Sequence, residues 1–234
     1  MQPEDAGSGA RGVPECARCS VKVKACRSPE GQAPPFCPGM LDQAPIVWAL
    51  EQYGDPAVSE FARQASIQEG ECYIGRGVRP YVLHPVKTRI QETAEFARRM
   101  GYRRLGIAFC AGLHEEARTL AAILEAQGFE VVSVVCKVGA TPKETIGLLD
   151  GEKVRVGEFE SMCSPIAQAA VLNAERAEFN IMVGLCVGHD SLFLKYAAAP
   201  CTVLVAKDRV LAHAPAAALH TAGSYYPWLK EPGR

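Results

Sequence analysis

The stretch that decides the fold is residues 105–136, LGIAFCAGLHEEARTLAAILEAQGFEVVSVVC. Leu105–Cys110 is a short apolar run, Leu113–Gln127 carries apolar residues at helical spacing, and Phe129–Cys136 is a second, valine-rich apolar run. Gly128 stands where the helix has to end. A strand, a helix and a second strand in this order predict a right-handed βαβ unit with parallel strands.

The same alternation continues toward the C-terminus. Ser164-Pro165 predicts the start of a helix, and Phe179–Cys186 predicts a third core strand. Asp190 predicts the N-cap of the next helix, and Thr202–Ala206 predicts a fourth strand. Strands separated by helices are typical of a doubly wound, Rossmann-like α/β fold, in which helices cover both faces of a parallel sheet. We expect the strand order 2-1-3-4, which places the first strand beside the third.

The part of the chain before this sheet changes composition once. Residues 1–41 hold four cysteines among many glycines and prolines, and they lack the apolar periodicity of a core. Residues 42–101 have helical periodicity instead. We therefore predict a small cysteine-rich, metal-binding module at 1–41 and an α/β domain at 42–234, with a helical lead-in over 42–101 and the sheet core over 102–220.

Composition and charge exclude several classes of protein. Hydrophobic residues make up 48% of the 234 residues, which is enough apolar surface for a core and excludes a disordered chain. A net charge of −1 provides no bulk attraction to nucleic acid or to an anionic membrane, so we expect neither as a partner. No apolar run approaches the roughly 20 residues of a transmembrane helix. The first five residues also lack the features of a signal peptide, and we expect a cytoplasmic protein.

Ten cysteines are the unusual feature of the composition. In a reducing compartment, clustered cysteines indicate metal binding or thiol chemistry rather than disulfide bonds. Four of them have the spacing C-x2-C-x6-C-x10-C: Cys16, Cys19, Cys26 and Cys37. A C-x2-C pair lets one tight turn direct two thiolates at one ion, and two later cysteines complete a tetrahedral shell. The pattern predicts a four-thiolate site for zinc or an iron–sulfur cluster, and the alternative is a flexible segment whose cysteines cluster by chance.

A second group of cysteines lies where the predicted strands end. Cys110, Cys136 and Cys186 end the first three strands, and Cys163 directly precedes a predicted helix. Ligands of an open parallel sheet bind outside the carboxyl ends of its strands, where the strand order reverses. We therefore predict a second cofactor-binding site formed by Cys110, Cys163 and Cys186, with Cys136 or His189 as a further member. An iron–sulfur cluster there would indicate electron transfer or a redox enzyme.

Other interpretations of these cysteines stay open. In one, the protein is a thiol-dependent enzyme in which Cys186 or Cys163 is the nucleophile and His189 assists it. In another, it is a non-catalytic metal-sensing or interaction protein. Whichever interpretation holds, we expect the protein's partners to be a metal ion and a small-molecule ligand or redox partner. Core packing is the structural alternative for any single cysteine, and we expect it for Cys72 and Cys201.

Four segments resemble a known family. They are Cys16-x2-Cys19-Ser20, Cys163-Ser-Pro-Ile-Ala-Gln-Ala169, Gly184-Leu-Cys-Val-Gly-His-Asp-Ser-Leu-Phe193 and Val205-Ala-Lys-Asp-Arg209. Together they resemble the cysteine-rich, metal-binding proteins grouped as domain of unknown function 1847, over most of the chain beyond the first dozen residues. The resemblance implies a metal-binding protein with a zinc-finger-like N-terminal segment. It implies no particular reaction.

Overall fold

The structure is a computed structural model, and it describes residues 12–233. The first eleven residues of the predicted module at 1–41 lie outside the described part. The chain divides into two compact units after Arg63, so residues 12–41 of that module belong to the first unit. No helix within the described residues combines the length and the apolar composition that crossing a membrane requires.

The first unit consists of short helical segments. They are the 3-10 turns Cys16–Arg18 and Pro38–Met40, helix α1 (Ala44–Gln52), and the beginning of helix α2 (Pro56–Glu71). Helix α2 starts where the sequence requires it, because the Asp55 carboxylate accepts a hydrogen bond from the Ala57 N–H at 2.8 Å and Pro56 occupies the first helical position.

The second unit contains the parallel sheet. The strands of this unit are β1 (Tyr73–Ile74), β2 (His84–Pro85), β3 (Arg104–Phe109), β4 (Glu130–Val135), β5 (Phe179–Val183) and β6 (Cys201–Val205). Strands β1 and β2 form a short antiparallel pair. The other four are parallel and are ordered β4-β3-β5-β6. This is the predicted order 2-1-3-4, and the predicted Rossmann-like α/β fold is confirmed.

Four helices lie between successive strands from β2 to β6: α3 (Arg89–Arg99), α4 (His114–Ala126), α5 (Pro165–Ala174) and α6 (His189–Tyr196). Helix α7 (Ala216–Thr221) follows β6. Gly128, which the sequence predicts to end α4, has a φ of +89°, and Gly101 after α3 has a φ of +74°. A glycine adopts this left-handed conformation at little cost.

The core lies around the two central strands, β3 and β5. Leu105, Ile107 and Ile181 on these strands are fully buried, which explains why both strands read as continuous apolar runs in the sequence. A second buried cluster lies on the side of the sheet covered by α5 and α6, and it includes Phe193 together with Cys136. Cys110 and Cys163 pack against this cluster. The cysteines of the predicted second site therefore adjoin the core itself.

Strand β5 ends earlier than the sequence predicts. It stops at Val183 rather than Cys186, because Gly184 has a φ of +67° and turns the chain away from the strand direction. Its Cα also lies directly against Leu113, where an added Cβ would come within 2.5 Å of a side-chain carbon. Cys186 consequently follows a turn and does not extend the strand.

Candidate functional site

Three cysteines meet at the carboxyl ends of the strands. Cys110 is the first residue after β3, Cys136 is the first after β4, and Cys163 lies two residues before α5. The backbone brings them together, because the Cys136 N–H donates to the Phe109 carbonyl at 2.8 Å and the Ser164 N–H donates to the Cys136 carbonyl at 2.7 Å. We call these three residues the three-cysteine cluster.

Cys136 is the central member of the three-cysteine cluster. Its Sγ lies 3.8 Å from the Sγ of Cys163, and its thiol is hydrogen-bonded to Cys110 as well. The Ala111 N–H donates to the same sulfur at 3.3 Å. Cys136 is only 3% exposed, whereas Cys110 and Cys163 are half-buried. One buried sulfur thus stands between two that solvent can reach.

The surroundings of Cys110 favour its thiolate form. Its pKa falls to about 4, because the Cys136 thiol donates a hydrogen bond to it, the Gly112 N–H donates another, and the Lys207 ammonium lies beside it. The Lys207 Nζ is 3.3 Å from the Cys110 Sγ. Partial burial opposes these effects but does not cancel them. Cys110 is therefore the most acidic thiol of the cluster.

The other two thiols differ from each other. The pKa of Cys163 falls to about 6, chiefly through its contact with Cys136 and also through the nearby Lys137 and His189, whereas partial burial and Cys110 oppose the change. The pKa of Cys136 is raised, because it would have to ionise beside Cys110 and Cys163 and away from water. Cys136 is consequently the last of the three thiols to lose its proton.

A buried glutamine aligns the cluster. Gln168 of α5 is fully buried, and its Nε2 donates to the carbonyls of Phe109 at 3.1 Å and Val134 at 2.7 Å. These two bonds tie α5 to the ends of β3 and β4 just before Cys110 and Cys136. Because Cys163 directly precedes α5, Gln168 also sets the position of that cysteine relative to the other two.

The long β4–α5 connection is held by ion pairs. Lys153, whose side chain is 5% exposed, pairs with Glu144 and with Asp150 at 3.0 Å. Lys143 pairs with Glu160 at 2.8 Å. In the Lys143–Glu160 pair both side chains are largely shielded from solvent, whereas Glu144 and Asp150 are about half exposed, so the first pair restrains the segment more than the other two. The segment thereby returns the chain to Cys163 beside Cys136.

Cys186 and His189 were predicted to join the other three cysteines in one site, and the structure places them differently. The Cys186 Sγ lies 3.0 Å from an Arg209 guanidinium nitrogen, and its hydrogen-bond partner is that arginine, not a cysteine of the cluster. His189 is near enough to Cys163 to lower its pKa. The His189 Nδ1 is buried and has no hydrogen-bond partner among the described residues. The structure thus brings together three of the five predicted site residues, with His189 beside one of them.

The four N-terminal cysteines belong to the first unit. Cys16, Cys19, Cys26 and Cys37 line a single cavity of about 420 Å³, whose other walls are mostly apolar. The Cys19 N–H donates to the Cys16 carbonyl at 3.2 Å, which is the tight turn expected for a C-x2-C pair. Across residues 12–233, no three His, Cys, Asp or Glu side chains are grouped closely enough to ligate one ion. The four thiols share a cavity without forming a closed shell.

Sequence reasoning missed the charged partners of the sulfurs. Lys207 and Arg209 follow the fourth strand at its carboxyl end, and the positional rule that selected the cysteines applies equally to them. Lys137 directly follows Cys136. The sequence gives only a weak indication that Gln168 has a structural role: it is a polar residue among the apolar residues of α5.

Comparison with known proteins places the chain in a family. Residues 37–204 match the family described as "Protein of unknown function (DUF1847)". The chain belongs to this family. It is also 49% identical over 140 residues to the "Uncharacterized protein MJ0455" of Methanocaldococcus jannaschii, and the match spans 60% of this chain and 69% of that protein. The resemblance stated from the sequence is confirmed.

The family match covers the cysteines at the sheet edge but, of the four N-terminal cysteines, only Cys37. It includes the three-cysteine cluster and Cys186, whereas Cys16, Cys19 and Cys26 lie before it and Lys207 lies after it. Neither description mentions a metal. The metal that the resemblance implies is therefore without support from these comparisons. The match establishes membership of the DUF1847 family, and this member is cysteine-rich and has a Rossmann-like fold.

Proposed function

We propose that this DUF1847 protein is a thiol-dependent redox protein whose nucleophile is Cys110. The observation that carries the proposal is the contact of 3.3 Å between the Lys207 Nζ and the Cys110 Sγ. A thiolate, not a thiol, attacks sulfur electrophiles, and an adjacent ammonium group stabilises it. A thiol that serves only as core packing has no use for such a partner, since burial among apolar groups favours the neutral form.

The reaction we propose is thiol–disulfide exchange with a disulfide-bearing substrate or redox partner. The Cys110 thiolate attacks one substrate sulfur, so that a mixed disulfide forms and the other substrate sulfur leaves as a thiolate. Cys136 then loses its proton to that leaving thiolate and attacks Cys110. The Cys110–Cys136 bond forms and the second substrate sulfur leaves as a thiolate. Two protein thiols are oxidised and one substrate disulfide is reduced.

The position of Cys136 suits it to the second step. Its buried thiol is hydrogen-bonded to Cys110 and its pKa is raised. It therefore stays protonated until the charge on Cys110 disappears in the mixed disulfide. At that point the cause of much of its raised pKa is gone, and Cys136 ionises more readily. The second nucleophile thus becomes active only after the first has reacted.

We expect Cys110 to react far faster than an ordinary cysteine of this chain. Near pH 6, iodoacetamide should label Cys110 at least about tenfold faster than Cys201, because Cys110 is a thiolate at that pH whereas burial raises the pKa of Cys201. Peptide mass spectrometry after brief labelling measures both rates in one sample. Cys110→Ser should abolish thiol release from a neutral dipyridyl disulfide, and Cys201→Ser should leave it intact. Equal labelling of Cys110 and Cys201 would exclude the proposal.

A second function is favoured by an independent observation. We propose that the N-terminal cysteines bind zinc or an iron–sulfur cluster, because Cys16, Cys19, Cys26 and Cys37 all line one cavity. Four thiolates are the donor set that these groups take in proteins. When bound, either group would order a segment that has little apolar core of its own. The cysteines would have to draw together around it, since they form no closed shell as they stand.

Metal and sulfide analysis of anaerobically purified protein tests this function. We expect bound zinc, or iron with acid-labile sulfide, that is lost in Cys19→Ser and retained in Cys110→Ser. The paired variants separate the two groups of cysteines, because one removes a thiol of each. Wild-type protein without any of these elements, or a Cys19→Ser variant that keeps its full content, would contradict metal binding at these four residues.

A further inference from the structure

Cys163 has no part in the exchange proposed above, yet its surroundings resemble those of a reacting thiol. Its Sγ is 3.8 Å from that of Cys136, and it is half-buried rather than sealed in the core. Lys137 and His189 lie near it and lower its pKa. A van der Waals contact between two sulfurs is the starting arrangement for attack of one on the other, and formation of a disulfide requires them to close to about 2.05 Å.

We propose that the three-cysteine cluster is a disulfide relay, in which Cys163 receives the disulfide first formed between Cys110 and Cys136. This inference rests on the proposed function, because the first disulfide arises from the exchange at Cys110. It assigns to Cys163 a step of its own, separate from metal binding and from assistance by His189 in attack on substrate.

The relay step is balanced within the chain. The Cys163 thiolate attacks the Sγ of Cys136 in the Cys110–Cys136 disulfide. The Cys136–Cys163 bond forms, the Cys110–Cys136 bond breaks, and the electron pair of the broken bond leaves on Cys110 as a thiolate. No proton, oxidant or reductant enters, since one thiolate and one disulfide become another thiolate and another disulfide.

The charges around the outer sulfurs favour this direction. A disulfide exchanges toward the better leaving thiolate, and the thiol with the lower pKa leaves faster. Lys207 at 3.3 Å and the Gly112 N–H stabilise the Cys110 thiolate even when Cys136 has no proton to donate. Lys137 and His189 lie near Cys163, but neither contributes a hydrogen bond to its sulfur. Cys163 is consequently the better attacking sulfur and Cys110 the better leaving group.

The backbone permits the second bridge. The Ser164 N–H donates to the Cys136 carbonyl at 2.7 Å, so the main chains of Cys136 and Cys163 run side by side at this point. Both residues also pack in one apolar cluster. The relay would return Cys110 to its thiolate form while the oxidising equivalent waits on Cys163, where a dithiol reductant can collect it.

Peptide mapping tests the relay, because trypsin places the three cysteines in separate peptides, 105–118, 119–137 and 156–176. The fully reduced full-length chain is mixed with one equivalent of a neutral dipyridyl disulfide, acid-quenched, alkylated and digested. We expect the bridge between 119–137 and 156–176 to exceed the bridge between 105–118 and 119–137 by about tenfold or more, with Cys110 alkylated. Cys186→Ser serves as the matched control and should give the same map.

Two variants complete the test. In Cys163→Ala the bridge should remain between Cys110 and Cys136, and circular dichroism checks that this variant is folded. In Cys110→Ser any bridge should form much more slowly than in the wild-type protein. A wild-type bridge that stays mainly on Cys110 overturns the relay but spares the proposed function. A Cys136–Cys163 bridge that forms equally fast in Cys110→Ser overturns both, because the probe has then been reduced without Cys110. Failure of wild-type protein to release any thiol from the probe overturns both.

Discussion

Replacing Lys207 by methionine should move the pH profile of Cys110 alkylation upward by about 1–2 pH units. The reacting species is the thiolate, which is lost as the pH falls through the pKa of Cys110. Because the pKa of Cys110 is about 4, we expect wild-type protein to stay reactive down to about that pH. Without the ammonium at 3.3 Å, the remaining hydrogen bonds from Cys136 and Gly112 hold the pKa less far down, so reactivity disappears at a higher pH.

The measurement is the rate of iodoacetamide labelling of Cys110 between about pH 4 and pH 9, the range that spans its lowered and its ordinary pKa. Lys195→Met is the matched control, since Lys195 lies over the Tyr196 ring on α6 and does not contact a cysteine. Its profile should coincide with that of the wild type. An unshifted profile in Lys207→Met would show that Lys207 does not stabilise the thiolate, and the proposed function would lose its main support.

Replacing Gln168 by leucine should lower the free energy of unfolding by about 2 kcal/mol or more, because two buried hydrogen bonds lose their donor. Leucine has a similar volume, so the loss reports the hydrogen bonds rather than a cavity. The Phe109 carbonyl keeps its bond from the Cys136 N–H, whereas the Val134 carbonyl is left beside an apolar side chain. Chemical denaturation of the reduced protein, followed by circular dichroism, measures the change.

Gln127→Leu is the control for this variant. The Gln127 side chain is exposed and accepts a hydrogen bond from Arg98 at 3.2 Å, so its loss should cost less than about 0.5 kcal/mol. We also expect Gln168→Leu, but not Gln127→Leu, to slow formation of both bridges in the three-cysteine cluster. Equal stabilities for the two variants would mean that Gln168 is not what ties α5 to the ends of β3 and β4.

Several features could be predicted because they depend on neighbours in the sequence. Apolar runs separated by helical periodicity predicted the strands β3, β4, β5 and β6, and the βαβ connection then limited their order to the one observed. Cys110 and Cys136 come directly after strands, so their common edge followed from strand direction alone. Each inference used local spacing together with a rule that holds for all parallel sheets.

Other features depend on contacts between distant parts of the chain. Gly184 is an unremarkable residue in the sequence, yet its close approach to Leu113 ends β5 and turns Cys186 toward Arg209. Lys207 reaches Cys110 across 97 positions of the chain. Cys136 became the central thiol of the cluster because the long connection after β4 returns Cys163 to its side.

The amino-acid sequence by itself therefore determined which residues stand at the functional edge of the sheet. Only the tertiary structure decided which of them touch and which carry charge. The physical reason is the distance over which each kind of interaction acts. Backbone periodicity acts over a few residues and survives changes in the surroundings. Sulfur contacts and thiol pKa values change when side chains move by a few ångströms, and the distances between these side chains depend on how separate segments of the chain pack.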